Sequence, residues 1–199
     1  MVYSEIGRSG THQVRLTYIL IALTVVVFML QNFTRGWIYF AFIPAYAIRE
    51  PWTYVTSIFL HASIEHILVN MTVLLIIGSL LERLVGARKF IIIFLIAGVI
   101  GNIGYQITAT NQFTPGIGAS GAIYGLMGTL ALIDPLQVVY LGFTVPLPII
   151  VLVPVYALLD ILGIFTPDSI AHGAHLGGLV IGILLGLCMR IAGNQSSLS

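Results

Sequence analysis

Apolar stretches of membrane-spanning length recur along this chain and leave room for little else. A helix needs about 20 mostly apolar residues to cross the hydrocarbon of a bilayer. Six segments stand out: roughly Val14 to Phe33, Ala62 to Leu81, Phe90 to Ile107, Ser120 to Ile133, Val145 to Phe165 and Ile170 to Ile191. In lipid, backbone donors and acceptors must be met within the protein, so such segments form helices. The expected fold is all-α, a polytopic bundle of six transmembrane helices. The fourth segment has only about 14 residues, short for a span, so one of its ends must stop inside the bilayer or in a watery cavity.

Charge agrees with this reading. Charged residues make up 8% of the chain, against roughly 25% in soluble domains. That is too few to coat a soluble globule. A length of 199 residues fits a single domain over 1–199, with polar tails at about 1–12 and 193–199. The net charge of +1 offers nothing to nucleic acid. Cys188 stands alone, so it forms no internal disulfide and reads as core filler. The first apolar run is long enough to span and no small-residue cleavage site follows it, so it is expected to stay as a start-transfer anchor.

Between the first two segments, Thr34 to Leu60 mixes Trp37, Tyr39, Phe40, Phe42, Tyr46, Trp52 and Tyr54 with Arg35, Arg49 and Glu50. Aromatics with scattered charge suit the membrane–water interface, so this is an interfacial loop between helices one and two. Plain interfacial packing and a part in lateral substrate access both fit it. Placing odd-numbered helices' starts inside puts Arg8, Arg15, Arg83, Arg88, Lys89 and Arg190 on one side, and Arg35 and Arg49 on the other. Positive residues favour the cytoplasm. The expected location is the cell membrane, multi-pass, with both termini cytoplasmic and Ser120 in the outer half.

Polar groups at membrane depth mark function by default. Ser120 opens the fourth segment within Gly118-Ala119-Ser120-Gly121, and His175 lies in Ala174-His175-Leu176-Gly177-Gly178 at the start of the sixth. A serine hydroxyl needs a base within hydrogen-bond reach to become a nucleophile. Gly121 and Gly125 form a small-residue pair on the fourth segment, and Gly178, Gly182 and Gly186 repeat every four residues on the sixth. Small residues let helices approach closely in lipid. His175 shares the glycine face, so the two segments should touch along the stripes holding Ser120 and His175. The competing view makes Ser120 a helix cap and the glycines mere packing. Asp134, Asp160 and Asp168 all read as poorly placed for a third member, so a Ser–His dyad is expected. The motif departs from the G-x-S-x-G elbow because residue 122 is Ala.

A second constellation is His61, His66 and Asn70. His66 and Asn70, four apart, share one helix face and can donate to a developing oxyanion together with the Ser120 backbone N–H. A zinc helix site wants histidines at i and i+4, whereas His61 and His66 are five apart, so no metal is expected. His61 is read as a tether for the interfacial loop. Tyr124, one turn after Ser120, suits either a plane that flanks the imidazole or an ordinary core position. His172 reads as a polar residue at the segment's end. Glu82 and Arg83 are read as structural, closing helix two at its inner end.

Together these residues resemble the rhomboid family of intramembrane serine proteases. The resemblance runs from about Pro51 to Arg190 and rests on H-x4-H-x3-N at His61, His66 and Asn70, on G-x-S-G at Gly118 to Gly121, and on Ala174-His175-x-Gly177-Gly178 before Gly182. It implies the minimal six-helix prokaryotic type. It implies that Ser120 attacks the scissile carbonyl and that His175 serves as base and then acid. His66, Asn70, Gly118 and the Ser120 N–H would surround the oxyanion and substrate, with Tyr124 packed on His175. Implied partners are transmembrane protein substrates with a single span, cut near the end of their helix within the lipid bilayer, and no cofactor is needed. The rival classes are a small transporter and a non-catalytic relative that binds membrane proteins without cutting them.

Overall fold

The structure, a computed structural model, describes residues 13–141, 144–166 and 170–196. Six apolar helices dominate it: α1 (Leu16–Phe33), α2 (Ile64–Val85, with a π-helical turn at Leu74–Gly78), α3 (Ala87–Thr108), α4 (Ser120–Ile133), α5 (Ile149–Gly163) and α6 (His172–Ser196). Four of them, α1, α2, α3 and the His172–Gly193 part of α6, are long and apolar enough to cross a membrane, while α4 and α5 are shorter. The polytopic all-α architecture expected from hydropathy is what forms.

α4 is the axis of the bundle. From Gly121 to Ala131 every residue except Tyr124 is buried. Its neighbours reach it through small residues. A Cβ on Gly178 would strike the carbonyl of Gly121, and one on Gly182 would strike that of Gly125. α3 joins the same seam, since a Cβ on Gly101 would lie 2.9 Å from the Ala174 oxygen and one on Gly177 2.8 Å from the Ile100 oxygen. Water-driven association is absent between helices in lipid, so close van der Waals packing of backbones carries the contact. Thr129 adds a polar stitch, its hydroxyl donating to the Gly182 carbonyl at 2.9 Å. α1 lies at the periphery and turns Tyr18, Leu23, Met29 and Phe33 outward.

Glu82 is structural, and its carbonyl accepts from the Gly86 N–H at the end of α2, but its carboxylate serves another helix. It is fully buried, and its carboxylate accepts from the backbone N–H groups of Arg15 (3.0 Å), Leu16 (2.8 Å) and Thr17 (2.9 Å) and from the Thr17 hydroxyl (2.7 Å). Arg15, the residue before α1, supplies no side-chain cap. The orphan donors of that helix start are therefore met by a carboxylate from another span. α2 and α3 are joined at Gly86, whose φ of 79° lies in the left-handed region that glycine adopts freely.

Two expectations are corrected. The fifth segment does not run as helix from Val145. Val145–Pro148 pairs antiparallel with Val138–Leu141, and α5 begins only at Ile149. Pro146 and Pro148 push the residues before them into extended backbone, which suits a strand and not a helix. At the other end, the tail expected from residue 193 is helical as far as Ser196, while residues 1–12 and 197–199 lie outside the described residues.

Glu82→Ala removes the acceptor of four buried or part-buried donors. Such a loss is expected to cost more than about 3 kcal/mol. A matching drop in the thermal midpoint in detergent micelles checks this, and an unchanged midpoint contradicts it.

Candidate active site

Ser120 is the first residue of α4. Ala119 before it provides no side-chain cap, and the serine side chain is not spent on capping its own helix. Its Oγ lies 2.9 Å from Nε2 of His175, one turn into α6. The close seam between α4 and α6 brings the two levels together, as the glycine stripes predict. The Tyr124 ring stacks on the imidazole at a centroid distance of 4.3 Å and an angle of 11°. Tyr156 from α5 supports Tyr124 edge-on at 6.0 Å.

The expectation that no carboxylate is suitably placed is overturned. Asp160 Oδ1 lies 2.8 Å from Nδ1 of His175. The misplacement came from the helix ends. α5 stops at Gly163 and α6 starts at His172, so Asp160 and His175 each sit one turn from the end where these helices meet. His172 lies beside them, its Nδ1 2.7 Å from the same carboxylate oxygen. One sequence signal could have found Asp160. Two histidines three apart share a helix face, and Asp160 is the single acidic residue of the neighbouring span.

The remaining predicted residues gather on the other side of Ser120. Gly118 has a φ of +129°, and a Cβ there would fall 2.9 Å from Nε2 of His66. The His66 ring thus lies over the chain two residues before Ser120, in a space only glycine leaves open. Asn70 is buried on the next turn of α2, where its Nδ2 donates to the His66 carbonyl at 2.9 Å. One of its two amide hydrogens is used in this way. No hydrogen bond joins Asn70 to Ser120 among the described residues.

His61 has a larger part than a loop tether. Its ring is buried, meets His66 edge-on at 4.9 Å, and its Nε2 accepts from the Ala119 N–H at 3.5 Å. Its main chain is held to α1 by Gln31, whose amide nitrogen donates to the His61 carbonyl and whose oxygen accepts from the His61 N–H at 3.2 Å. The interfacial segment therefore clamps the loop that carries Ser120. Phe42 bridges to Gly116 through paired backbone bonds of 3.2 and 2.7 Å, and the Gly118 N–H donates to the Ser57 carbonyl at 3.0 Å. A cleft of about 140 Å³ opens beside His172, lined by Tyr105, Thr108, Asn111 and Thr166.

Burial, with His66 nearby as a lesser cause, lowers the His61 imidazole to a pKa of about 4. It is neutral in the folded protein at neutral pH. The unfolded chain binds this proton first as pH falls below the ordinary 6.5, so stability is fully present above 6.5 and is lost as pH falls towards 4. Thermal midpoints measured across that window should decline in the native protein and decline less in His61→Phe. Identical slopes would contradict the assignment.

The rhomboid domain profile matches residues 48–192. YdcA of Bacillus subtilis (strain 168), a rhomboid-protease homologue, is 31% identical over 183 residues, covering 83% of this chain and 89% of that protein. The rhomboid protease GluP of the same organism is 30% identical over 175 residues, covering 83% of this chain but 33% of GluP. The rhomboid protease GlpG of Haemophilus influenzae is 27% identical over 178 residues, covering 87% and 90%.

Proposed function

The chain belongs to the rhomboid family of intramembrane proteases, and from that premise we propose that it is a serine endopeptidase cutting transmembrane segments of single-span membrane proteins. The observation that carries this reading is the 2.9 Å contact between Ser120 Oγ and His175 Nε2, with Tyr124 stacked on the imidazole. The nucleophile and its base come from different helices, and each is held by groups that leave the contact intact.

In the proposed reaction, Ser120 Oγ attacks the scissile carbonyl carbon and gives its proton to His175 Nε2. The negative charge that develops on the carbonyl oxygen is met by the Ser120 N–H, which as the first residue of a helix has no partner in its own helix. His66 and the second amide hydrogen of Asn70 complete that set, and Gly118 leaves the space in which His66 lies. His175 then returns the proton to the leaving amine as the C–N bond breaks. Water attacks the acyl ester, again giving its proton to His175, and hydrolysis restores the serine.

Water has to reach a site below the membrane surface. The short α4 begins at the seam, and the clustered polar residues His61, His66, Asn70, Ser120 and His175 are consistent with a hydrated pocket. The arginine and lysine distribution supports opening to the outer face of the cell membrane, with both termini cytoplasmic. Substrate helices would enter laterally, past α5 or the interfacial segment. Residues 1–199 act as one membrane domain in this reading, without cofactor, metal or nucleic acid.

A fluorophosphonate probe on detergent-purified protein should label Ser120, and His175→Ala should abolish that labelling. Mass spectrometry of the labelled peptide decides, and a label elsewhere overturns the proposal. Ser120→Ala should lower cleavage of a membrane substrate in proteoliposomes by at least about 10³-fold, and His66→Ala by about 10²–10³-fold, the usual cost of one oxyanion donor. Turnover unchanged in Ser120→Ala would contradict the reading.

A further inference from the structure

We infer that Asp160 is a positioning residue for His175, fixing its tautomer, and that His172 holds Asp160 in place. This rests on reading Ser120 and His175 as the reacting pair. A neutral imidazole carries one hydrogen, on either ring nitrogen. To take a proton from Ser120, Nε2 must present its lone pair. The other nitrogen of His175 faces Asp160 Oδ1 at 2.8 Å, and an ionised carboxylate only accepts. The hydrogen therefore belongs on Nδ1, and the lone pair on the nitrogen 2.9 Å from Ser120 Oγ. In the other tautomer the ring would aim a hydrogen at the hydroxyl and its lone pair at the carboxylate, so it could take no proton from Ser120.

The carboxylate is itself held. Asp160 is 4% exposed, and a buried anion needs hydrogen-bond donors to offset its lost hydration. His172 supplies the second, from the preceding turn of α6, at 2.7 Å from the same oxygen. Two donors converging on one oxygen from one helix restrain the side chain against rotation. Tyr124, stacked at 4.3 Å, restrains the imidazole against tilting. The ring is thereby fixed in plane and in protonation pattern.

Asp160, His172 and His175 could also be seen as ligands for one metal ion. Their separations argue against it. Ligand atoms about 2.0–2.1 Å from a tetrahedral zinc lie roughly 3.3 Å from one another, whereas these nitrogens lie 2.7 and 2.8 Å from the oxygen. Direct hydrogen bonds fit the distances and a shared ion does not.

The test uses the full chain in detergent and in proteoliposomes. Asp160→Asn should lower kcat by about 10²–10⁴-fold with KM within threefold, and His172→Gln should lower it less. A folded Asp160→Asn protein with kcat within threefold of native overturns the proposal. Should Asp160→Asn fail to fold, the native protein decides. Nitrogen-15 histidine spectra should show His175 neutral with its hydrogen on Nδ1, and a hydrogen on Nε2 overturns the assignment. If native Ser120 takes no fluorophosphonate label, the hydrolase reading fails, and the positioning of a base by Asp160 loses its purpose. The tautomer measurement is independent of that outcome, so the two failures are told apart.

Discussion

The site depends on how closely α4 and α6 approach. Ser120 and His175 lie on different helices, and a hydrogen bond of 2.9 Å tolerates little error in their spacing. Gly178 and Gly182 meet the backbone of Gly121 and Gly125 with no room for a Cβ of their own. Side chains of ordinary size there would hold the helices at the usual 8–10 Å between axes or more and carry the imidazole away from the hydroxyl. In a solvent as apolar as the side chains, backbone contact is one of the few sources of cohesion between spans. The same glycines therefore supply both the adhesion and the spacing that lets Ser120 meet His175.

Around that seam, the segment between α1 and α2 serves as a frame. Phe42 is buried beside Tyr54, at 4.7 Å between rings, and bonds the main chain at Gly116. Asn102 on α3 donates to the Tyr54 carbonyl and to the Ser57 hydroxyl at 2.8 and 2.9 Å. His61 reaches the Ala119 N–H. The loop leading into Ser120 is thus bonded on both sides before α4 begins. In the proposed reaction such prior fixing matters, because groups already in place need not reorganise as charge develops.

Most of the architecture was legible because lipid imposes long apolar runs, and the glycine spacing at Gly178, Gly182 and Gly186 pointed to the right helix pair. Ser120, His175 and the stacking option for Tyr124 could be read for the same reason: they share faces at helical spacing. Asp160 could not be placed, because its level depends on where α5 and α6 end, and helix ends are poorly marked in apolar sequence. The prolines at 146 and 148 did mark an end, but the apolar run around them hid it. The glycines of α3 at 101 and 104 give no clear stripe, being interleaved with bulky residues. The structural role of Glu82 is legible, but not its partners, which lie some 65 residues away on a different span.

That last contact ties the order of assembly to synthesis. The N–H groups at the start of α1 leave the ribosome long before the carboxylate that satisfies them. Until α2 is made, those donors must stay with water or lipid headgroups at the membrane surface. Only when Glu82 emerges, at the far end of α2, can those donors exchange outside partners for the carboxylate. The first two spans are therefore coupled during biogenesis, and the earlier one reaches its seat by waiting for the later.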